Sequence, residues 1–190
     1  MIKAVIFDFF GVIGLSTYQL VGEKYNLSDT QKKELTDLHK TFDNGFIDDA
    51  KFLQSYADII SEPYESFIDN FYKSQERFRV SDAMIEFALE LKKSYKIGML
   101  SNVSSDAYHA FIEPIASNFD SVVTSYHAQL AKPDVAIFEL IAQELGVDVF
   151  DCIMIDDSET NCEGARAAGM QAICHTSLAD TRQQLISLVS

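Results

Sequence analysis

The sequence is poor in residues that break or loosen a chain. Of 190 residues, 3 are proline and 8 glycine, and no segment is of low complexity, which excludes Pro/Gly linkers, repeat arrays and a disordered chain. Cysteine is scarce too. Cys152, Cys162 and Cys174 are odd in number and match no C-x-x-C metal or redox spacing, so buried or idle thiols in a reducing cytoplasm are expected. Apolar runs such as Ala4 to Phe7 and Ile97 to Leu100 fall far short of the roughly 20 residues a membrane-spanning helix requires. The first residues run into a strand-like segment and Asp8 with no basic region or long apolar stretch, so no secretory leader is expected. Positive charge is scarce as well: 15 Lys plus Arg face 29 Asp plus Glu, a formal net charge of −14. That balance argues against nucleic acid or an anionic membrane as partner. A small phosphorylated substrate stays admissible, because a bound divalent cation inverts the local charge at one site.

What is present is 47% hydrophobic, enough for one compact unit or a core with a small insertion. Lys3 to Phe7 is a short run, apolar throughout after one Lys, of the kind covered on both faces of a parallel sheet. Lys96 to Leu100, Ser121 to Thr124, Cys152 to Ile155 and Gln171 to Cys174 repeat the form. Amphipathic patterns lie between them. One carries Met84, Ile85, Ala88, Leu89 and Leu91 behind a cap at Ser81 or Asp82. A second runs from Asp134 to Gly146, a third from Ser158 or Thr160 to Gly169, and Thr181 to Val189 reads as a last helix. Strands alternating with helices predict a doubly wound, Rossmann-like α/β core. From about residue 15 to 80 the alternation stops. That stretch is helical and rich in aromatics, with Tyr18, Tyr25, Phe42, Phe46, Phe52, Tyr56, Tyr64, Phe67, Phe71 and Tyr72. It predicts an all-helical insertion after the first strand, a small lid whose aromatics form its own core.

In an open α/β sheet, ligands bind beyond the carboxyl ends of the strands. Here the first run ends at Asp8, the second at Ser101-Asn102 and the fourth at Asp156-Asp157, while Lys132 follows the third in a short loop. Each alone is ordinary turn or cap chemistry, but together they place three carboxylates, a hydroxyl and an ammonium on one edge. Clustered carboxylates repel and raise one another's pKa unless a cation sits among them. Mg²⁺ takes such oxygen ligands, so Asp8, Asp156 and Asp157 suit it. Elsewhere, His39, His109, His127 and His175 show no ligand spacing, and Gly11 and Gly14 lack the rest of either nucleotide fingerprint. Gly11 fits the turn past Asp8, where backbone approaches substrate closely.

Asp8-Phe9-Phe10-Gly11-Val12, Leu100-Ser101-Asn102, Lys132-Pro133 and Ile155-Asp156-Asp157-Ser158, with Asn161 and Gly164 following, resemble in order and spacing the four motifs of the haloacid dehalogenase-like (HAD) hydrolase superfamily. The insertion resembles that family's helical cap, giving a core of residues 1–14 and 81–190 and a cap of residues 15–80. Gly45-Phe46-Ile47-Asp48 followed by Phe52 resembles the cap segment of the epoxide-hydrolase-type phosphatase subgroup. The resemblance implies that Asp8 is a nucleophile forming an aspartyl-phosphate. Ser101 and the Asn102 backbone would hold phosphate oxygens, and Lys132 would neutralise phosphate and nucleophile. Mg²⁺ would rest on Asp8, Asp156, Asp157 and the Phe10 carbonyl. The implied protein is a cytoplasmic phosphatase for a small phosphorylated metabolite, its cap closing over the substrate.

One departure matters. The family's phosphatases usually carry a second Asp where this chain has Phe10, and that Asp protonates the leaving group. Its absence removes a contribution of about 10²- to 10⁴-fold unless another group supplies it. Asp43, Asp48, Asp49 and His39 lie in the insertion and read as solvated surface. Three functions stay open: a phosphatase with another acid or an undemanding leaving group, a dehalogenase, or a weakly active or inactive protein that binds a phosphorylated ligand. Dehalogenases of the family also carry an aromatic residue at this position, but they lack the paired Asp156-Asp157 and use a cap Arg, whereas the first Arg here is Arg77.

Overall fold

The computed structural model describes residues 1–14, 25–43, 47–75, 80–103 and 105–189. The chain divides into two compact units, Met1–Gly14 with Val80–Ser190, and Leu15–Arg79. The division falls one residue before the expected boundary, because Val80 bridges Gly14 and Ser81 N donates to Ile13 O at 2.8 Å.

The first unit is a parallel five-stranded sheet, in the order β3-β2-β1-β4-β5, flanked by helices as expected. Its strands are β1 Ala4–Phe7, β2 Lys96–Ser101, β3 Ser121–Thr124, β4 Cys152–Asp156 and β5 Gln171–Cys174. β1 is central and fully buried along its length, which is why its sequence is continuous rather than alternating. Successive residues still serve opposite faces. Ala4 and Ile6, with Leu100, Val123 and Met154, pack on Ile137, Phe138 and Ile141. Those three residues belong to a helix at Val135–Leu145. Phe7 turns the other way and meets the Phe87 ring edge-on at 6.1 Å, while the Arg182 guanidinium sits 4.3 Å over that same ring.

The unit's four longer helices are Asp82–Leu91, Val135–Leu145, Glu159–Ala168 and Leu178–Val189. Ser81 rather than Asp82 caps the first, its Oγ accepting from Met84 N at 3.3 Å. Asp134 caps the second by accepting from Ala136 N, and Gly146 ends it. Ser158 precedes the third without a side-chain cap, and Gly169 closes it. The last helix begins three residues before the expected Thr181. Two segments differ from the expected loops. Between β2 and β3 the chain coils through Ser105–Ala107, a π-helical turn Tyr108–Ile112 and a 3₁₀ segment Glu113–Asn118, with Ile112 and Phe119 buried. A one-turn helix, Ser125–Ala128, follows β3.

The three thiols are idle, as expected. Burial pushes Cys152 up to about 12 and raises Cys162 and Cys174 as well, so all stay protonated at neutral pH. No helix among the described residues is long and apolar enough to cross a membrane.

In the second unit, three helices, Asp29–Asp43, Asp49–Ile60 and Tyr64–Gln75, enclose an apolar cluster of Leu35, Phe52, Tyr56, Ala57, Ile60, Phe67 and Phe71. Tyr25, Phe42 and Tyr64 pack on it, and Tyr56 stacks on Phe67 at 5.2 Å. These aromatics are therefore the unit's own core. Tyr18, Gly45, Phe46 and Arg77 lie outside the described residues, as do the side chains of Asp43, Asp49 and Tyr72. Asp48 caps the second of these helices, accepting from Lys51 N at 2.8 Å.

His39 is not solvated surface. Its ring packs on Phe52 at 5.1 Å and on Tyr56 at 6.1 Å, and burial lowers its pKa to about 4. The unfolded imidazole titrates near 6.5, so the unfolded chain binds more protons between these values. Stability present above pH 6.5 is therefore lost as the pH falls toward 4, on the order of 2 kcal/mol for a half-buried ring. Thermal unfolding at pH 5.0 and 7.5 should show a smaller acid destabilisation in His39→Leu than in the parent chain. An equal drop in both would remove His39 from the account.

Candidate active site

The carboxyl edge of the sheet collects its polar residues because buried strands must end in groups that can meet water or each other. Asp8 follows β1, and its N donates to Ile155 O at 2.8 Å, which keeps it in register with β4. Ser101 and Asp156 are the last residues of β2 and β4, and both are fully buried. Lys132 is 1% exposed although it carries a full charge.

Partners explain that burial. Lys132 Nζ lies 2.6 Å from Asp156 Oδ2 and 2.8 Å from Asp8 Oδ1, bridging two strands. Asp8 Oδ1 also accepts from Phe9 N at 2.6 Å. Asp156 Oδ1 accepts from Ser158 N at 2.9 Å and Asn161 Nδ2 at 3.0 Å. Burial lowers the Lys132 pKa, but the attraction of Asp156 and Asp8 outweighs it and raises the ammonium above its ordinary value. For Asp8, burial and then the charge of Asp156 raise the carboxyl well above the usual range, despite Lys132. One ammonium is therefore too little for this site.

Carboxylate oxygens of Asp8, Asp156 and Asp157 lie within 4.8 Å of one another. Asp157 is the exposed member and stands against Gly11: a Cβ built there would meet Asp157 Oδ2 at 2.0 Å. Gly11 also has φ +80°, so it serves both the turn past Asp8 and the space of a carboxylate. Ser101 Oγ is buried with no hydrogen-bond partner among the described residues. A native hydroxyl left in that state points to a group that binds there.

The residues singled out by sequence, Asp8, Phe10, Gly11, Ser101, Asn102, Lys132, Asp156 and Asp157, fall on this edge. The Asn102 side chain has a task beside the backbone role that the resemblance implies. Its Nδ2 donates to Lys132 O and its Oδ1 accepts from Lys132 N, both at 2.9 Å, pinning the loop that delivers the lysine. Two supporting residues had been given no role. Asn161 orients Asp156, and Gly164 makes room for the Lys132–Pro133 loop, since a Cβ there would sit 2.5 Å from Pro133 O. Asn161 lies five residues past Asp156, one helical turn beyond the strand, and that spacing was the available signal.

Comparison with known proteins identifies the family. The chain is 24% identical over 190 residues to sesquiterpene phosphatase astK of Aspergillus oryzae, covering 98% of this chain and 96% of that one. It is 40% identical over 55 residues to fructose-1-phosphate phosphatase YqaB of Escherichia coli, 29% of each. It likewise spans 29% of drimenol cyclase drtB of Aspergillus calidoustus, at 22% identity and 77% coverage of this chain. Among solved structures, a HAD family enzyme from Bacteroides thetaiotaomicron, in its magnesium complex, superposes with a TM-score of 0.61 at 21% identity, covering 97% of this chain and 98% of that one. The family model for haloacid dehalogenase-like hydrolases matches residues 2–169, and with its motifs gathered on one sheet edge the chain belongs to that family of hydrolases.

Proposed function

We propose that this hydrolase is a Mg²⁺-dependent phosphatase for a small phosphorylated metabolite, working through an aspartyl-phosphate on Asp8. One observation carries the proposal: among the described residues, one buried ammonium stands among three carboxylates, on the same sheet edge as a buried hydroxyl with no partner there. Such a site repels a phosphate dianion unless a hard cation joins it, and carboxylate oxygens are the ligands that cation takes. Asp8, Asp156 and Asp157, with the Phe10 main-chain carbonyl, would hold Mg²⁺, which when bound neutralises phosphoryl oxygens.

The remaining work falls to the chain. Lys132 and Phe9 N both engage Asp8 Oδ1, so Oδ2 is left to attack phosphorus, and the carboxylate is fixed before substrate arrives. Ser101 Oγ would donate to a phosphoryl oxygen, which ends its isolation. Lys132 offsets the charge that builds on the phosphoryl group, held in place by Asn102 and Asp156. Covalent capture on Asp8 divides hydrolysis into two easier displacements.

The test is phosphate release from an aryl phosphate and a panel of sugar phosphates, with and without Mg²⁺. Mg²⁺-dependent release that disappears in Asp8→Asn is the expected result. Halide release from a 2-haloacid with no phosphate release from any ester would overturn it in favour of the dehalogenase. Phe10→Asp restores a proton donor, so it should raise turnover of alkyl phosphates about 10²-fold or more, and of aryl phosphates much less. Equal gains on both would mean that the acid comes from elsewhere.

A further inference from the structure

The side chain that replaces the proton donor is part of a larger apolar feature. Phe10 is half-buried, and its ring meets Phe9 edge-on at 4.9 Å and Phe111 edge-on at 6.4 Å. Phe9 is fully buried and gives the group a fixed base. Phe111 comes from the π-helical turn Tyr108–Ile112, nine residues past Asn102. Such turns carry an extra residue and recur at functional sites. Ile112, beside it, is fully buried and anchors the turn while Phe111 stays half-exposed. From the same turn Tyr108 meets the His127 ring at 4.5 Å, and His127 Nδ1 lies 2.8 Å from Thr124 Oγ1 at the end of β3. Phe10 lies two residues past Asp8, and the turn that carries Phe111 is tied through Tyr108 and His127 to the end of β3, all within the first unit.

We infer that Phe10 and Phe111 form the leaving-group subsite, and that the ester it accepts is the phosphomonoester of a phenol. The inference rests on the phosphatase proposal and narrows it. Two independent properties converge on the same chemistry. Aromatic rings pack an aryl group favourably, whereas a sugar would exchange water for apolar surface and leave its hydroxyls unpaired. A phenol titrates near pH 10, as tyrosine does, so a phenolate departs without the proton an alkoxide needs, and position 10 has none to give. The reaction balances. Asp8 attacks phosphorus, the phosphorus–oxygen bond to the aryl group breaks, and its electron pair leaves on the phenolate, which takes a proton from bulk water. Water then attacks phosphorus, both its hydrogens ending on dihydrogen phosphate, and the Asp8 carboxylate is regenerated.

The experiment compares 2-naphthyl phosphate, glucose 6-phosphate and acetyl phosphate, the last a small acyl phosphate with a good leaving group and no ring. The expected kcat/KM for 2-naphthyl phosphate exceeds that for glucose 6-phosphate by at least 100-fold. Phe111→Leu should raise the KM for 2-naphthyl phosphate about tenfold, and Phe111→Trp should restore it. In the unmodified protein, 2-naphthol should inhibit competitively, a readout independent of how the variants fold. Asp8-dependent turnover of acetyl phosphate without preference for the naphthyl ester, or without naphthol inhibition, overturns the subsite and leaves the phosphatase standing. No Asp8-dependent phosphate release from any of the three overturns both.

Discussion

Asp8→Asn is expected to lower kcat by about 10⁴-fold or more while leaving the folded protein as stable as before, or more so. The loss follows from chemistry. An amide does not displace at phosphorus, and with no covalent intermediate the reaction reverts to a single unassisted step. The gain in stability follows from the electrostatics of the edge. Asp8 is 6% exposed, and burial and the charge of Asp156 raise its pKa. Its ionised form is therefore disfavoured by the fold. Asparagine removes that charge, keeps an oxygen that can accept from Phe9 N, and leaves Lys132 paired with Asp156 at 2.6 Å. Trading fold stability for reactivity is a common property of catalytic groups. Steady-state kinetics and thermal unfolding check the two halves separately. Retained turnover would falsify the nucleophile assignment, and a large drop in melting temperature would show that Asp8 holds the strand ends together.

The strands were legible because β1, β2 and β4 are buried on both faces, which imposes continuous apolar runs that no exposed element would carry. The site was legible for a related reason. A run ending abruptly in Asp, Ser-Asn or Asp-Asp places those groups on one edge once the strands are parallel, and the register Phe7 opposite Ile155 and Met99 does so. What escaped notice depends on partners far along the chain. The Asn102 side chain clamps a backbone 30 residues away, and nothing local in the sequence announces that partner. The π-helical turn Tyr108–Ile112 carries no repeat of apolar spacing, because it is shaped by Ile112 entering a core built from other segments. His39 looked solvated because its neighbours in sequence are polar. The rings that cover it, Phe52 and Tyr56, lie on the next helix.

Lys132→Met should be the most destabilising single change at the edge. The side chain fits the space, so the cost is electrostatic rather than steric. Lys132 is 1% exposed between Asp8 and Asp156, and its removal leaves two buried carboxylates facing each other with no counter-charge. Breaking a buried ion pair on one side costs about 3–5 kcal/mol, or about 10 °C in melting temperature for a chain of this length. The pH dependence identifies the cause. Without the ammonium, the Asp8 carboxyl, already raised by burial and the charge of Asp156, rises further, and a group whose folded pKa is raised contributes stability that is lost as the pH rises through it. The deficit against the parent chain should therefore be small near pH 5 and widen toward pH 8. A deficit that stays flat across that range would mean lost packing, not unpaired charge. Added Mg²⁺ should recover part of the stability, since a cation on Asp8, Asp156 and Asp157 supplies the missing counter-charge. It should not recover activity, because the ammonium that offsets phosphoryl charge is gone, a loss of about 10²- to 10³-fold for a single donor of this kind.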